Sequence, residues 1–267
     1  MVDTSNPDFK SCTIICSNNY PELHDKLSNT IEDIFGNEAS IIDEVFGEGR
    51  DSGDSSKLTI KVLDCTELKD LESCLSDSYL IFLIGEPESQ YFKRARDRVL
   101  DWYYKQVNQE MPALVTIIPQ KHVVDIYPPI DREICLELAE ANFLHTTLKV
   151  FHDLNSLWSG SKLISTDLAD FINCLCGKRV QLFYIEGNLG KDLANLTLPY
   201  INSNSIFAVL AFDQSQEMNI EILSSFAEAL RKACPEEAEV YLTDTGMGGL
   251  SLDWPVRLTI FYSYPLF

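Results

Sequence analysis

Cysteine and histidine are the side chains of this sequence most able to bind a metal or act as nucleophiles. The four histidines are not clustered around the cysteines, and no Cys-x-x-Cys pair occurs among the eight cysteines: Cys12, Cys16, Cys65, Cys74, Cys135, Cys174, Cys176 and Cys234. Free cysteine behaves as a small buried hydrophobe. We therefore predict reduced thiols in the core, with a zinc site at Cys174 and Cys176 as the alternative.

Two carboxylates, Asp167 and Asp170, lie where a loop meets a predicted helix. A Ser, Thr or Asp followed three residues later by an acid is typical of a helix N-terminus. In that interpretation Thr166 or Asp167 caps the helix, and Asp170 interacts with the helix dipole. On residue types alone, these side chains have a structural role.

Motifs of common enzyme classes do not occur in the sequence. There is no Gly-x-Ser-x-Gly, no His-Glu-x-x-His and no Walker lysine motif. The glycine-rich stretch Gly246 to Gly249 is predicted to form a hairpin turn between the last two strands. No helix follows it, so we do not expect it to bind phosphate.

The charge balance is strongly acidic, with 41 acidic and 21 basic side chains and a net charge of −20. Such a balance opposes binding to nucleic acids and to anionic lipid surfaces. No apolar run approaches the roughly 18 residues of a membrane span, and the N-terminus lacks the pattern of a signal peptide. We predict a cytoplasmic protein that binds no nucleic acid and does not insert into membranes.

The first half alternates short β-rich runs with amphipathic helices. Strands are predicted at residues 12–16, 57–65, 79–84 and 113–118, a short apolar run at 41–46, and helices at 21–35 and 89–109. The run from Tyr79 to Ile84 is continuously apolar, which is typical of a strand buried on both faces of a parallel sheet. This order predicts a doubly wound parallel sheet.

A long helix is predicted next. Apolar residues recur at three- and four-residue spacing from Ile134 to Trp158, which predicts a helix roughly 35 Å long. The second half then reads as a helix from about Asp167, strands at 179–185, 205–212, 239–243 and 255–262, and helices at 189–199 and 219–233. Two α/β units joined by one long helix are the predicted architecture.

That layout resembles the FtsZ/tubulin superfamily, and the segment from Leu163 to Asp170 (LISTDLAD) makes the resemblance specific. In FtsZ the loop after the central helix runs Leu-Ile-Asn-x-Asp-Phe-Ala-Asp. Asp167 and Asp170 match its aspartates, and Ser165 replaces its asparagine. The order and spacing of the segments after Ser205, ending with Arg257-Leu-Thr-Ile, also resemble FtsZ, so that the similarity covers about residues 131–263.

The resemblance implies a fold and a domain plan. The fold would be α/β and FtsZ/tubulin-like, with a shortened parallel Rossmann-type sheet, a long central helix and a smaller α+β C-terminal domain. The implied domains are residues 1–130, degenerate and nucleotide-binding-like, residues 131–160, the connecting helix, and residues 161–267, the FtsZ-like C-terminal domain.

The resemblance also implies a role for the aspartate loop. In FtsZ-like filaments the nucleotide lies on one subunit, and the aspartate loop of the next subunit holds a cation and orients the attacking water. Ser165, Asp167 and Asp170 would be the corresponding catalytic residues here. They would be vestigial if the protein no longer hydrolyses GTP. No metal site is predicted within the chain.

The glycine-rich phosphate loops of FtsZ are absent. The first predicted strand leads into Ser17 to Pro21, a segment without glycine. The buried strand predicted at residues 79–84 leads into Gly85-Glu-Pro-Glu. Proline removes a backbone donor, and two carboxylates would lie where phosphate should sit. We therefore expect no cofactor, and a pseudo-GTPase.

The alternative is that GTP and magnesium bind in a rebuilt pocket. Asn18, Asn19 and Gly85 would then contact phosphate, and Asn142 would face the base. A basic cluster, Lys93, Arg94, Arg96 and Arg98, could neutralise phosphate, but we expect it to pair with acids such as Asp97 and Asp101.

Three functions follow from the resemblance. In the first, the chain caps or modulates FtsZ-type filaments by docking onto FtsZ or another FtsZ-like subunit. In the second, it assembles with itself as a nucleotide-independent scaffold in cell division or membrane remodelling. In the third, the alternative in which GTP is bound, it is a self-polymerising GTPase.

Overall fold

A computed structural model of the chain divides into two compact units, residues 1–144 and 145–267. It describes residues 11–16, 39–43, 58–64, 71–76, 78–105, 112–120, 132–157, 166, 168–187, 197–212, 220–245 and 256–264. The three-part division at residues 130 and 160 stays a prediction. Within the described residues, no helix is both long enough and apolar enough to cross a bilayer.

The first unit is built on a parallel sheet. Its strands are β1 (Ser11–Cys16), β2 (Ala39–Asp43), β3 (Leu58–Asp64), β4 (Ser78–Ile84), β5 (Ala113–Pro119) and β6 (Glu133–Leu138). They pair in the order β2-β3-β1-β4-β5-β6, and every pairing is parallel. The parallel sheet predicted from the alternating pattern is therefore confirmed.

Among the described residues, helices α1 (Leu71–Ser76) and α2 (Gln90–Lys105) pack on this sheet. The buried side of α2 consists of Phe92, Ala95, Val99, Trp102 and Tyr103. These side chains share a core with apolar residues of α1, β4 and β5. Trp102 and Tyr103 meet edge to face, and the Tyr103 hydroxyl donates to the carbonyl of Pro112. The sheet face and the amphipathic stripe of α2 thus fix each other.

The long helix predicted from residue 134 is wrong in its first part. Glu133–Leu138 forms β6, all of it buried, and a 3₁₀ turn (Glu140–Asn142) separates it from helix α3 (Phe143–Ser156). Between the two, Ala139 has φ −57° and ψ 130°, which is not helical. With 14 residues, α3 is about 21 Å long rather than 35 Å.

The second unit has a mixed sheet. Its strands are β7 (Lys178–Gly187), β8 (Ser205–Phe212), β9 (Glu239–Asp244) and β10 (Val256–Ser263), in the order β7-β10-β8-β9. β10 is antiparallel to β7 and β8, whereas β8 and β9 are parallel. The predicted hairpin at Gly246 to Gly249 is therefore wrong, because β8 lies between β9 and β10.

Helices cover both faces of this sheet. Helix α5 (Ile220–Ala233) packs Leu223, Phe226 and Leu230 against a core that includes Ile206, Ala208, Leu258 and Ile260. Phe207 and Phe261 alternate with these positions and contact Phe171 of helix α4 (Leu168–Leu175). Because successive strand residues point to opposite faces, α4 and α5 lie on opposite sides of the sheet.

The remaining helix predictions fall partly outside the described residues. The helix predicted at 21–35 lies wholly outside them. The helix predicted at 189–199 lies outside them up to residue 196, and the described residues from Thr197 to Pro199 have no regular structure. The prediction for that end of the helix is wrong.

Candidate functional site

The carboxyl ends of β1 and β4 mark the point where the chain connections of the first unit diverge. β1 and β4 are neighbours, with Cys16 opposite Ile84. The chain continues from β1 to β2 on one side, and from β4 to β5 on the other. In open α/β sheets ligands bind at such a switch point. Gly85 thus lies beside the end of β1, while the predicted Asn18 and Asn19 lie outside the described residues.

Two backbone N–H groups of the turn after β4 are bonded to carbonyl groups of the protein. Gly85 is buried, and its N–H donates to the carbonyl of Ile117 at 3.1 Å. The N–H of Ser89 donates to the carbonyl of Glu86 at 3.0 Å. Pro87 has no N–H. A phosphate cradle needs several backbone N–H groups pointing at the ligand, and this turn directs two of its donors elsewhere.

The side chains of the turn also fit phosphate poorly. Glu86 is half-buried and Glu88 is exposed. Their charges repel an anion, and the repulsion is stronger where water is partly excluded. The residues present in this part of the switch point therefore do not fit a nucleotide triphosphate.

One member of the basic cluster on α2 has an acidic partner on another element. Arg96 pairs with Glu133 of β6 at 2.9 Å. Glu133 is fully buried and also accepts a 2.5 Å hydrogen bond from the hydroxyl of Thr116. Lys93, Arg94 and Arg98 are exposed. Arg96 thus ties α2 to β6.

Asn142 ends the 3₁₀ turn that follows β6. Its side chain is exposed, and its N–H donates to the carbonyl of Ala139 at 3.3 Å. Because β4 and β6 are parallel, Asn142 and Gly85 follow strands at the same edge of the sheet, with β5 between them. A base-contacting role for Asn142 stays a prediction.

The aspartate loop is held at its start by the second unit. The hydroxyl of Thr166 donates to the carbonyl of Leu242 at 3.2 Å, and the hydroxyl of Thr243 donates to the carbonyl of Thr166 at 3.1 Å. This reciprocal pair joins the loop to β9, a strand distant in sequence. Ser165 and Asp167 lie outside the described residues.

Asp170 is the one predicted catalytic carboxylate that the structure describes. It lies half-buried in the first turn of α4, where a carboxylate interacts favourably with the helix dipole. Phe171, which is fully buried, packs between Phe207 and Phe261 with ring centroids 5.2 and 5.4 Å away. Gly177, with φ 72°, supplies the left-handed residue after the helix. Packing and helix ends thus position Asp170.

Cys174, on the buried side of α4, provides a pH-dependent probe of this region. Burial raises the pKa of its thiol to about 12 from 9.0. The folded state therefore keeps a proton that the unfolded state loses above pH 9, and stability falls as pH rises from about 9 to about 12. We expect the unfolding free energy to fall less steeply over this range in Cys174→Ala, measured by urea titration. Parallel profiles of the two proteins would contradict the assignment.

A buried charged network between α3 and the sheet of the second unit was not predicted from the sequence. Asp153 accepts hydrogen bonds from Arg257 at 2.5 Å and from Thr259 at 2.6 Å. One turn earlier, Lys149 pairs with Glu186 at 2.5 Å and lies 3.9 Å from the ring centre of Tyr184. The spacing of Lys149 and Asp153 along α3 was a signal, but their partners lie on strands whose pairing the sequence does not reveal.

The register of the sheet assembles that network. Arg257 lies opposite Glu186, and Thr259 lies opposite Tyr184. Lys149 and Asp153 are four residues apart, so they share a face of α3. Two cations and two anions thus meet and neutralise each other in a largely buried layer. The layer fixes where α3 lies on the sheet of its unit.

Metal binding finds no support in the described part of the chain. No group of three or more His, Cys, Asp or Glu side chains comes together there. Cys135, Cys174 and Cys234 are buried and form no disulfide, as predicted for core thiols, and Cys176 is half-buried. The alternative zinc site at Cys174 and Cys176 would need ligands from elsewhere.

Comparison with solved structures confirms the fold. A point mutant of FtsZ from M. jannaschii superposes with a TM-score of 0.59 at 10% identity, covering 96% of this chain and 91% of that chain. An empty FtsZ dimer from the same organism gives 0.60 at 11%, covering 96% and 88%. CetZ from Methanosaeta thermophila gives 0.54 at 11%, covering 94% and 86%.

Sequence comparison does not extend that result. No protein-family model matches the chain, and no curated protein matches it in sequence. The solved structures alone show that the chain has an FtsZ/tubulin-like fold, which the resemblance of the aspartate loop and C-terminal segments had implied.

Proposed function

We propose that this chain is an FtsZ-like cytoskeletal protein that acts through protein–protein contacts and has lost GTP binding. The observation that carries the proposal is the turn after β4. Buried Gly85 donates its N–H to Ile117, and Ser89 donates its N–H to Glu86. While these two bonds are in place, neither N–H is available to a triphosphate.

The charges at the same edge support the proposal. Glu86 and Glu88 follow β4, and two further strands of the sheet, β2 and β3, end in Asp43 and Asp64, with β1 lying between β3 and β4. Since all these strands are parallel, the acids lie at the carboxyl edge where a ligand would bind. Negative side chains at this edge disfavour an anionic ligand.

The aspartate loop supports a role in assembly. Thr166 is bonded reciprocally to β9, and Asp170 is held by the packing of α4. A loop that is fixed in this way can be offered to another subunit at little entropic cost. A subunit with a donating loop but no receiving pocket would act as a cap or modulator of FtsZ-type filaments, or as a nucleotide-independent scaffold in cell division or membrane remodelling.

A GTP-binding, self-polymerising GTPase is the second candidate. The observation that favours it is the position of Gly85 and the end of β1 at the topological switch point, where α/β proteins bind ligands. Asn18, Asn19 and Asn142 would have to complete the pocket. We rank it second because of the turn and its acids.

Calorimetric titration of the full chain with GTP and with GDP, in the presence of magnesium, tests the proposal. We expect no binding up to about millimolar nucleotide, the range of a weak ligand. Binding in the micromolar range would overturn the proposal and favour the GTPase. Gly85→Ala and Glu86→Gln/Glu88→Gln variants would then show whether the turn after β4 contacts the nucleotide.

Pelleting of FtsZ filaments with added protein distinguishes the cap from the scaffold. A cap lowers the pelleted fraction of FtsZ at substoichiometric amounts, because each filament offers few ends. An Asp170→Asn variant should lose this effect. No change in FtsZ pelleting at several-fold excess would remove the cap and leave the scaffold.

A further inference from the structure

Helix α2 carries a cationic surface on an acidic protein. Its 16 residues include five basic and two acidic side chains, a net charge of +3, whereas the whole chain has −20. Tyr91, Arg94 and Arg98 are exposed and lie three and four residues apart, so they share one face of the helix. Asp101 and Lys105 continue the same stripe and carry opposite charges, so the stripe as a whole is cationic. We call Tyr91, Arg94 and Arg98 the α2 face.

The α2 face is rigidly supported from beneath. The opposite side of α2 is buried in the core of the first unit. Arg96 is tied to buried Glu133, and Tyr103 donates to the carbonyl of Pro112. A preorganised surface loses little conformational entropy when it binds. Tyrosine and arginine are also the residue types enriched at interface hot spots.

A complementary surface occurs in the second unit. Glu236, Glu237 and Glu239 are exposed in and just after the turn that joins α5 to β9. We call them the acidic turn. Arg231 donates to the backbone carbonyls of Ala238 and Glu236, and the N–H of Glu239 donates to the carbonyl of Asn204 at 3.0 Å. The turn's backbone is thus fixed.

We propose that the α2 face of one copy of this chain binds the acidic turn of a second copy. Two guanidinium groups meet three carboxylates, and guanidinium pairs with carboxylate through two parallel hydrogen bonds. Because each guanidinium has five donors, the contact does not require the arginines to lack partners within their own chain. The inference rests on the proposed function and names the surfaces of its self-assembling form.

Salt concentration should have opposite effects on the two electrostatic terms. Each copy carries −20, so two copies repel at a distance. The screening length is about 30 Å at 0.01 M salt, 8 Å at 0.15 M and 3 Å at 1 M. As the salt concentration rises, the long-range repulsion between whole molecules is therefore screened first. The close pairs between arginine and glutamate side chains are screened only at higher concentrations. We expect association without nucleotide to be strongest near 0.15 M salt and weaker at both extremes.

Sedimentation of the full chain tests the contact through charge reversal. Arg94→Glu/Arg98→Glu should weaken self-association at least about tenfold. Reversing the acidic turn to lysines at all three positions should weaken it similarly. Combining both reversals in one chain should restore association, because opposite charges again face each other. Circular dichroism establishes that each variant is folded.

Lys93→Glu/Lys232→Glu is the matched control. It changes the net charge by the same amount as the arginine variant, but its lysines lie outside the α2 face and the acidic turn. It should associate like the unmodified chain. Equal loss in this control, or failure of the combined reversal to associate, would overturn the proposed contact.

The test separates failure of the contact from failure of the proposed function. If the chain binds no nucleotide and stays monomeric at every salt concentration, the contact is wrong and the filament cap still stands. If association requires GTP, the proposed function is wrong as well.

Discussion

Replacing Asp153 with alanine is expected to destabilise the protein by about 3–5 kcal/mol, because it removes the buried carboxylate that pairs with the buried Arg257 guanidinium. Asp153 is fully buried, and the side chain of Arg257 is 7% exposed. The variant also removes the acceptor of the Thr259 hydroxyl. Urea titration followed by circular dichroism measures the loss.

The control for this prediction is Glu228→Gln. Glu228 pairs with Lys232 at 3.4 Å, but both side chains are more than 70% exposed, at 72% and 78%. Exposed pairs contribute at most about 1 kcal/mol, so this variant should be nearly neutral. A loss below about 1 kcal/mol for Asp153→Ala would contradict the importance assigned to the buried network.

A double replacement separates pairing from burial. Asp153→Leu/Arg257→Met removes both charges, and the new apolar side chains fill much of the space of the original ones. Replacing a buried ion pair by apolar side chains is often neutral or stabilising. We therefore expect the double variant to be more stable than Asp153→Ala. If so, the network serves to place α3 on its sheet more than to add stability.

Replacing Phe171 with alanine is expected to destabilise the protein by about 3–5 kcal/mol through the cavity it leaves. Phe171 is fully buried and contacts Phe207 and Phe261 edge to face. Each such aromatic pair contributes about 0.5–1.5 kcal/mol beyond burial. The same unfolding measurement applies.

Two further variants sharpen the Phe171 prediction. Phe171→Leu keeps most of the volume and should lose less stability than the alanine variant. Tyr200→Ala removes an aromatic ring of which 67% is exposed and should lose under about 0.5 kcal/mol. Equal losses for Phe171→Ala and Tyr200→Ala would show that α4 does not depend on this packing.

The packing of α4 bears directly on the candidate assembly loop. Asp170 precedes Phe171 in the chain, and Thr166 is bonded to β9 on the other side of the loop. The position of the carboxylate therefore depends on the core rather than on the loop's own sequence. A destabilised α4 should weaken any contact that Asp170 makes with another subunit.

Most strands and helices were predictable because their patterns are local. The continuously apolar run in β4 and the alternation in β3 need no information from the rest of the chain. The same is true of the amphipathic stripe of α2. The aspartates at the start of α4 also matched a loop of FtsZ, which led to a fold that the structural comparison confirms.

The tertiary structure alone decided the segment Glu133–Leu138. Its apolar residues fit a helical spacing as well as a buried strand, and short apolar runs are ambiguous in this way. Pairing with β5 made it a strand. Glu133 is tolerated in this buried strand because Arg96 and Thr116 form hydrogen bonds with it. Arg96 is 37 residues away in the chain, so the sequence does not reveal this pairing.

Strand order and buried charge pairing were likewise beyond the sequence. β10 lies between β7 and β8, so β9 and β10 are not paired as a hairpin. Asp153 meets Arg257 across 104 residues. Local patterns determine which face of a strand or helix is apolar, whereas the free energy of each long-range pairing depends on every other contact in the folded unit.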